Sequence, residues 1–173
     1  MRLIRELARR LSALKKFVGY VMAEAVIERG DFQSSLNVLS DRKNVAVIDI
    51  AAEEMRLNVT LFKPKKTEGA AEKFLTEAPR GTVWKIFSTE EVAEFIAAVD
   101  DDNAIHRGAR PIVTGFLIIE TLFNAPQLIE HKKIRLRFKH FTTVDEKLYL
   151  TIDGKQFHVD ARERKVEGWI LDS

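Results

Sequence analysis

The chain has 173 residues, 46% hydrophobic and 31% charged, with 28 Lys and Arg against 26 Asp and Glu for a net charge of +2. This length suits one good core, or a domain with an extension, and excludes two large independent domains. The near-neutral balance excludes the strongly basic surface of a non-specific nucleic-acid binder. Cysteine is absent, which removes disulfides, thiolate metal sites and a Cys nucleophile and leaves catalysis to carboxylates, imidazoles and hydroxyls. No apolar run approaches the roughly 18 residues of a membrane span. The expectation is a soluble cytoplasmic protein with no membrane or nucleic-acid partner.

Leu3, Leu7, Leu11, Leu14, Val18, Val21 and Ala25 recur at steps of three and four, with Arg2, Arg5, Arg9, Arg10, Lys15 and Lys16 between them. The spacing predicts an amphipathic helix over 3–28, ended by Gly30. Its basic residues are read as soluble helix formers rather than as a membrane or nucleic-acid contact. Short β-type runs follow at Ser35–Leu39, Val45–Ile50 and Arg56–Phe62, the pattern of a small meander. Lys63-Pro64-Lys65-Lys66-Thr67-Glu68-Gly69 is polar and broken by Pro and Gly, so the chain divides into 1–64, a linker at 65–79 and a unit at 80–173.

The second unit opens with a strand signal at Thr82–Phe87. Ser88-Thr89-Glu90-Glu91 then forms a capping box for a helix that carries Val92, Phe95, Ile96 and Val99 on one face and stops at Asp100-Asp101-Asp102-Asn103. A second helix is signalled by Pro111 and the run from Ile112 to Phe123, apolar almost all round and therefore buried on every side, with Glu120 its one charge. Strand signals close the chain at Ile134–Phe138, Lys147–Ile152, Gln156–Val159 and Val166–Leu171, with a turn at Asp153-Gly154. A strand, a buried helix and a run of antiparallel strands describe an α+β sheet curled around a helix.

The densest polar segment is Asp101-Asp102-Asn103-Ala104-Ile105-His106. A carboxylate and an imidazole on one turn stand about one water apart, which suits moving a proton to and from water. Glu120 is the other candidate, because a carboxylate in an apolar helix is costly to ionise unless it is paired or used. His140 is read as an edge-strand residue, and His131 and His158 have no partner legible in the sequence.

Phe87-Ser88-Thr89-Glu90-Glu91 with Asp101-Asp102-Asn103-Ala104-Ile105-His106 resembles the motif F-[ST]-x-E-[DE] … G-D-x-N-P-[IL]-H of the MaoC-like, R-specific enoyl-CoA hydratases. Asp100 stands for the motif's Gly and Ala104 for its Pro. The resemblance implies a hot-dog fold in which Asp101 and His106 are the catalytic pair and Asn103 orders them. His106-Arg107-Gly108-Ala109-Arg110-Pro111 through Gly115, Leu117 and Glu120 is similar to the β-hydroxyacyl-acyl-carrier-protein dehydratase motif H-F-P-G-x-P-x-x-P-G-x-L-x-x-E. That resemblance implies His106 and Glu120 as the couple, commonly meeting across a homodimer, with a backbone amide at Gly115 polarising the thioester carbonyl. Residues Ile134 to Leu148 loosely resemble the strand and turn that follow in that family.

The two resemblances leave Asp101 and Glu120 both open as the partner of His106. Together they imply a hydratase or dehydratase acting on an acyl thioester of coenzyme A or acyl carrier protein, with no metal and no organic cofactor. Arg107, Arg110, Arg135 and Arg137 could meet the carrier's phosphates, but as a scattered set they are read as a solvated surface. The alternative is a non-catalytic hot-dog module that binds acyl thioesters or serves in assembly or regulation. A nucleic-acid regulator working through the basic first helix is the poorest of the three readings.

Overall fold

Ile4, Leu7, Ala8 and Leu11 are all buried on one stripe of a helix, α1, that spans Arg2–Ser12. This is the computed structural model of the protein, and it describes residues 2–65 and 77–172. The helix expected over 3–28 ends here. A 3-10 turn at Lys15–Phe17 and Gly19, with φ +87, reverse the chain into a strand, β1, at Val21–Arg29. The periodicity misleads because Val21 and Ala25 satisfy steps of four and of two alike. Gly19 in the left-handed region and the β-branched Val21, Val26 and Ile27 decide for the strand.

Arg5, Arg9 and Arg10 of α1 bond to other elements of the same chain. Arg5 holds Glu120, Arg9 donates to the Ala98 carbonyl at the end of the next helix, and Arg10 donates to the Ala51 carbonyl. Strands β2 (Ser35–Arg42), β3 (Val45–Ala52) and β4 (Met55–Phe62) confirm the meander. The linker expected at 65–79 falls largely on residues 66–76, outside the described residues.

The strand expected at Thr82–Phe87 is reduced to a single bridge between Lys85 and Leu148, with the Phe87 ring fully buried. Helix α2 (Thr89–Ala98) starts on the capping box: Ser88 accepts from the Glu91 amide and Glu91 reaches back to the Ser88 amide. The buried helix α3 is Gly115–Phe123, shorter than the run from Pro111, because Thr114 is its cap and Ile112 pairs with Thr143. Strands β5 (Lys133–Phe138), β6 (Tyr149–Asp153), β7 (Gln156–Asp160) and β8 (Arg164–Ile170) follow.

All eight strands form one antiparallel sheet in the order β2-β3-β4-β1-β5-β8-β7-β6. The order reads the same from either end: α1 with β1–β4 repeats the topology of α3 with β5–β8 about the β1–β5 pair. Strands β1–β4 from the segment before the linker therefore make up half of the one sheet.

Along the central seam Ala25 faces Leu136 and Ile27 faces Ile134 on the core side. Glu24 pairs with Arg135 and Glu28 with Lys133 on the other side. Helix α3 packs against α1 in the core, where Ile119, Leu122 and Phe123 are wholly buried. Arg135 and Arg137 lie over Trp169 on the sheet's outer face beside Glu24.

Candidate active site

Helix α2 ends with Asp100 in the left-handed conformation, φ +54, and the Asp101 amide bonds back to the Ile96 carbonyl. This closing turn usually uses Gly; Asp is among the few other residues that tolerate it. The Asp that stands where the hydratase motif has Gly therefore keeps the backbone path. Asp101 then accepts the Asn103 amide on Oδ1 at 2.8 Å, which leaves Oδ2 free to turn elsewhere. Asn103 caps the 3-10 turn Ala104–His106, and Ala104 takes the first-turn position that the motif gives to Pro. Asn103 is buried, and its Nδ2 donates to the Tyr20 carbonyl at 3.0 Å, tying this turn to the entrance of β1.

His106 is 8% exposed. Its Nδ1 lies 2.7 Å from the Ile112 carbonyl oxygen. A carbonyl only accepts, so Nδ1 carries a proton, and in the neutral ring Nε2 presents the lone pair. Nε2 faces Asp101 Oδ2 at 3.6 Å, too far for a direct hydrogen bond and well placed for a water or substrate oxygen between them. Flanking charge is taken up locally. Lys15 bonds Asp102 at 2.6 Å, and that bond together with the lysine charge holds the Asp102 carboxyl below its ordinary range. Arg107 donates to the Asp101 carbonyl.

Asp101, Asn103, His106 and Gly115 all line one cavity of about 370 Å³. Gly115 heads α3. The Phe116, Leu117 and Ile118 amides of its first turn go to Thr114, so Gly115 N–H is the one in that turn which Thr114 does not take. A Cβ on Gly115 would stand 3.1 Å from Met22 Cβ and Sδ. Met22 comes to this place through the bulge between Met22 and Glu24, which turns it onto the same face as Ala25.

Glu120 lies apart from this group. It is 5% exposed and is held by Arg5 through two bonds of 3.0 and 3.1 Å, and it borders a separate groove with Trp84 and Asn124. The arginine that the buried carboxylate requires thus comes from α1. His140 lines the cavity at its exposed rim beside Lys139. His131 pairs with Asp172 and His158 with Asp160. Among the described residues no three His, Asp or Glu side chains gather as a metal would require, and no helix is long and apolar enough to cross a membrane.

Tyr20, Met22 and the Ile112 carbonyl were not legible as site groups. The interruption at Gly19-Tyr20 was the one sequence signal that β1 begins beside the site.

No family description and no curated protein matches the sequence. Solved structures do match the fold. HtdX from Mycobacterium tuberculosis superposes with a TM-score of 0.63 at 14% identity, over 96% of this chain and 86% of its own. The full-length peroxisomal multifunctional enzyme type 2 of Drosophila melanogaster gives 0.62 at 15% identity, over 97% of this chain and 40% of its own. The chain has the hot-dog fold. A thioesterase so described from Novosphingobium aromaticivorans shares it at a TM-score of 0.51 and 9% identity, over 96% of this chain and 87% of its own. These likenesses establish the fold of the chain. In this hot-dog the cavity has walls from both halves of one chain, Tyr20 and Met22 from the first and His106 and Gly115 from the second.

Proposed function

We propose that this chain reversibly adds water to, and removes it from, the α,β bond of an acyl thioester carried by coenzyme A or acyl carrier protein. The observation that carries the reading is the pair of His106 Nε2 and Asp101 Oδ2, 3.6 Å apart in a cavity at the head of α3. In the hydration direction, a water held between them gives a proton to Nε2 while its oxygen bonds to C3. The π electrons of C2=C3 move toward the thioester carbonyl, whose developing negative charge is met by the Gly115 amide. The proton on Nε2 then goes to C2, so water is added across the bond and the site returns to its starting protonation. Asn103 holds Asp101 and the turn in register, and Nδ1–H to Ile112 keeps the reactive lone pair on Nε2.

Glu120 does not enter this scheme, because Arg5 holds its carboxylate. Nor does the scheme need a second subunit, since one chain supplies both walls. A homodimer belongs to the proposal only as an assembly, measured by sedimentation, and a cytoplasmic setting belongs to it as the place where such carriers are met.

The test is hydration of crotonyl and longer enoyl thioesters of coenzyme A, followed by loss of the enoyl absorbance. His106→Ala and Asp101→Asn are each expected to lower kcat/KM by about 10²–10⁴-fold with melting temperatures near that of the parent. If the parent turns over no enoyl thioester but saturated acyl-CoA raises its melting temperature, the chain is an acyl-binding module and the hydration scheme falls.

A further inference from the structure

The charged residues lining the cavity lie toward its exposed rim: Asp102, Lys139 and His140 are open to solvent. The opposite character holds inside, where Ala8, Leu11 and Phe17 from the first half meet Leu61, Val99 and Ile118, all buried. His106 and Asp101 line the same cavity, whose exposed lining is partly ionic and whose buried lining is largely apolar. That polarity fits a ligand with a charged carrier outside, a thioester at His106 and a hydrocarbon tail pointing inward. At roughly 30 Å³ for a water-sized group, the cavity of about 370 Å³ holds far more than a four-carbon acyl group. Ala8, 1% exposed on α1, is the smallest side chain among the buried lining, and α1 with the 3-10 turn forms the wall.

We infer that the substrate has an extended apolar acyl chain of roughly eight carbons or more, and that Ala8 and Leu11 of α1 set its length. The inference rests on the acyl-thioester reading above, and it assigns to the first half of the hot-dog the selection of the acyl group that the second half transforms.

The test measures dissociation constants for saturated acyl-CoA of four, eight and twelve carbons, and kcat/KM for the matching enoyl-CoA series. Both series are run on the full chain, on Ala8→Leu and on Leu11→Ala. In the parent, affinity is expected to rise about fourfold for each methylene buried. Ala8→Leu is expected to reduce the eight-to-four-carbon preference about tenfold, and Leu11→Ala to move the best chain upward by about two carbons. Affinity independent of chain length in the parent overturns the inference, as does an equal loss at every length in Ala8→Leu. Where Ala8→Leu fails to fold, as read by circular dichroism, Leu11→Ala decides alone.

Saturated chains cannot be hydrated, so their binding reads the cavity apart from the reaction. Length-dependent binding without turnover of any enoyl-CoA overturns the hydration scheme and keeps this inference. Turnover with no dependence on length does the reverse.

Discussion

At the residue scale, two polar groups of the site are held by backbone atoms that their own sequence neighbourhood does not advertise. His106 depends on Ile112, six residues on, and Asn103 on Tyr20, from the far side of the fold. Glu120 shows the converse: a buried carboxylate that the motif nominates for chemistry is consumed by Arg5, whose guanidinium also lies over Phe95. Glu120→Gln is therefore expected to cost about 1–3 kcal/mol of stability, since the pair is buried on one side and partly exposed on the other. Enoyl-CoA hydration by the same variant should stay within a few-fold of the parent. A loss of 10²-fold or more at an unchanged melting temperature would return Glu120 to the catalytic pair.

At the element scale, the ends of the elements build the candidate site. The Schellman-type close of α2 delivers Asp101, and Thr114 caps the turn of α3 whose Gly115 lines the cavity. Buried Lys165 bonds the Phe141 carbonyl, Glu146 and Glu163, fixing the loop whose residues 139–142 border the cavity.

A second anchor closes the chain. Asp172 accepts the Lys132 and Lys133 amides and pairs with His131 at 2.8 Å. Desolvation pushes its carboxyl up, but the His131 bond, the amide bonds and the imidazole's charge together outweigh it and hold the pKa below the ordinary Asp value of 3.8. A depressed carboxylate stabilises the fold above its unfolded pKa and stops doing so as pH falls through the lower folded value. Asp172→Asn is accordingly expected to cost about 1 kcal/mol at neutral pH. The difference from the parent should shrink toward zero as pH drops through and below 3.8, as read from urea midpoints across that range. A difference that persists at the acid end would refute this linkage.

At the scale of the whole molecule, the two halves share one sheet and one core, and neither covers its central strand alone. Strand β1 pairs with β4 on one side and with β5 of the other half on its second side. Ala25 and Ile27 are buried against Leu136 and Ile134 across that seam. Unfolding is expected to be a single cooperative event. Trp84 and Trp169 both lie in the second half, so their fluorescence reports that half while far-ultraviolet dichroism reports both. Coincident guanidinium transitions are the expected result, and separated midpoints would show that the halves fold independently.

What could be read from residues alone was local. The capping box of α2, the all-round apolar α3, the strands β2–β5 and β7–β8 and the polar turn from Asp101 to His106 each follow from short-range pattern and turn chemistry. The sequence by itself determined a buried helix in an antiparallel sheet with an imidazole and a carboxylate on the turn before it. Tertiary structure decided what pairs with what. Residues 21–29 became a strand because β4 and β5 offered partners on both sides, a gain that no window on the sequence contains. It also decided the fate of Glu120, because its burial beside Arg5, 115 residues earlier in the chain, is a property of packing and not of local spacing.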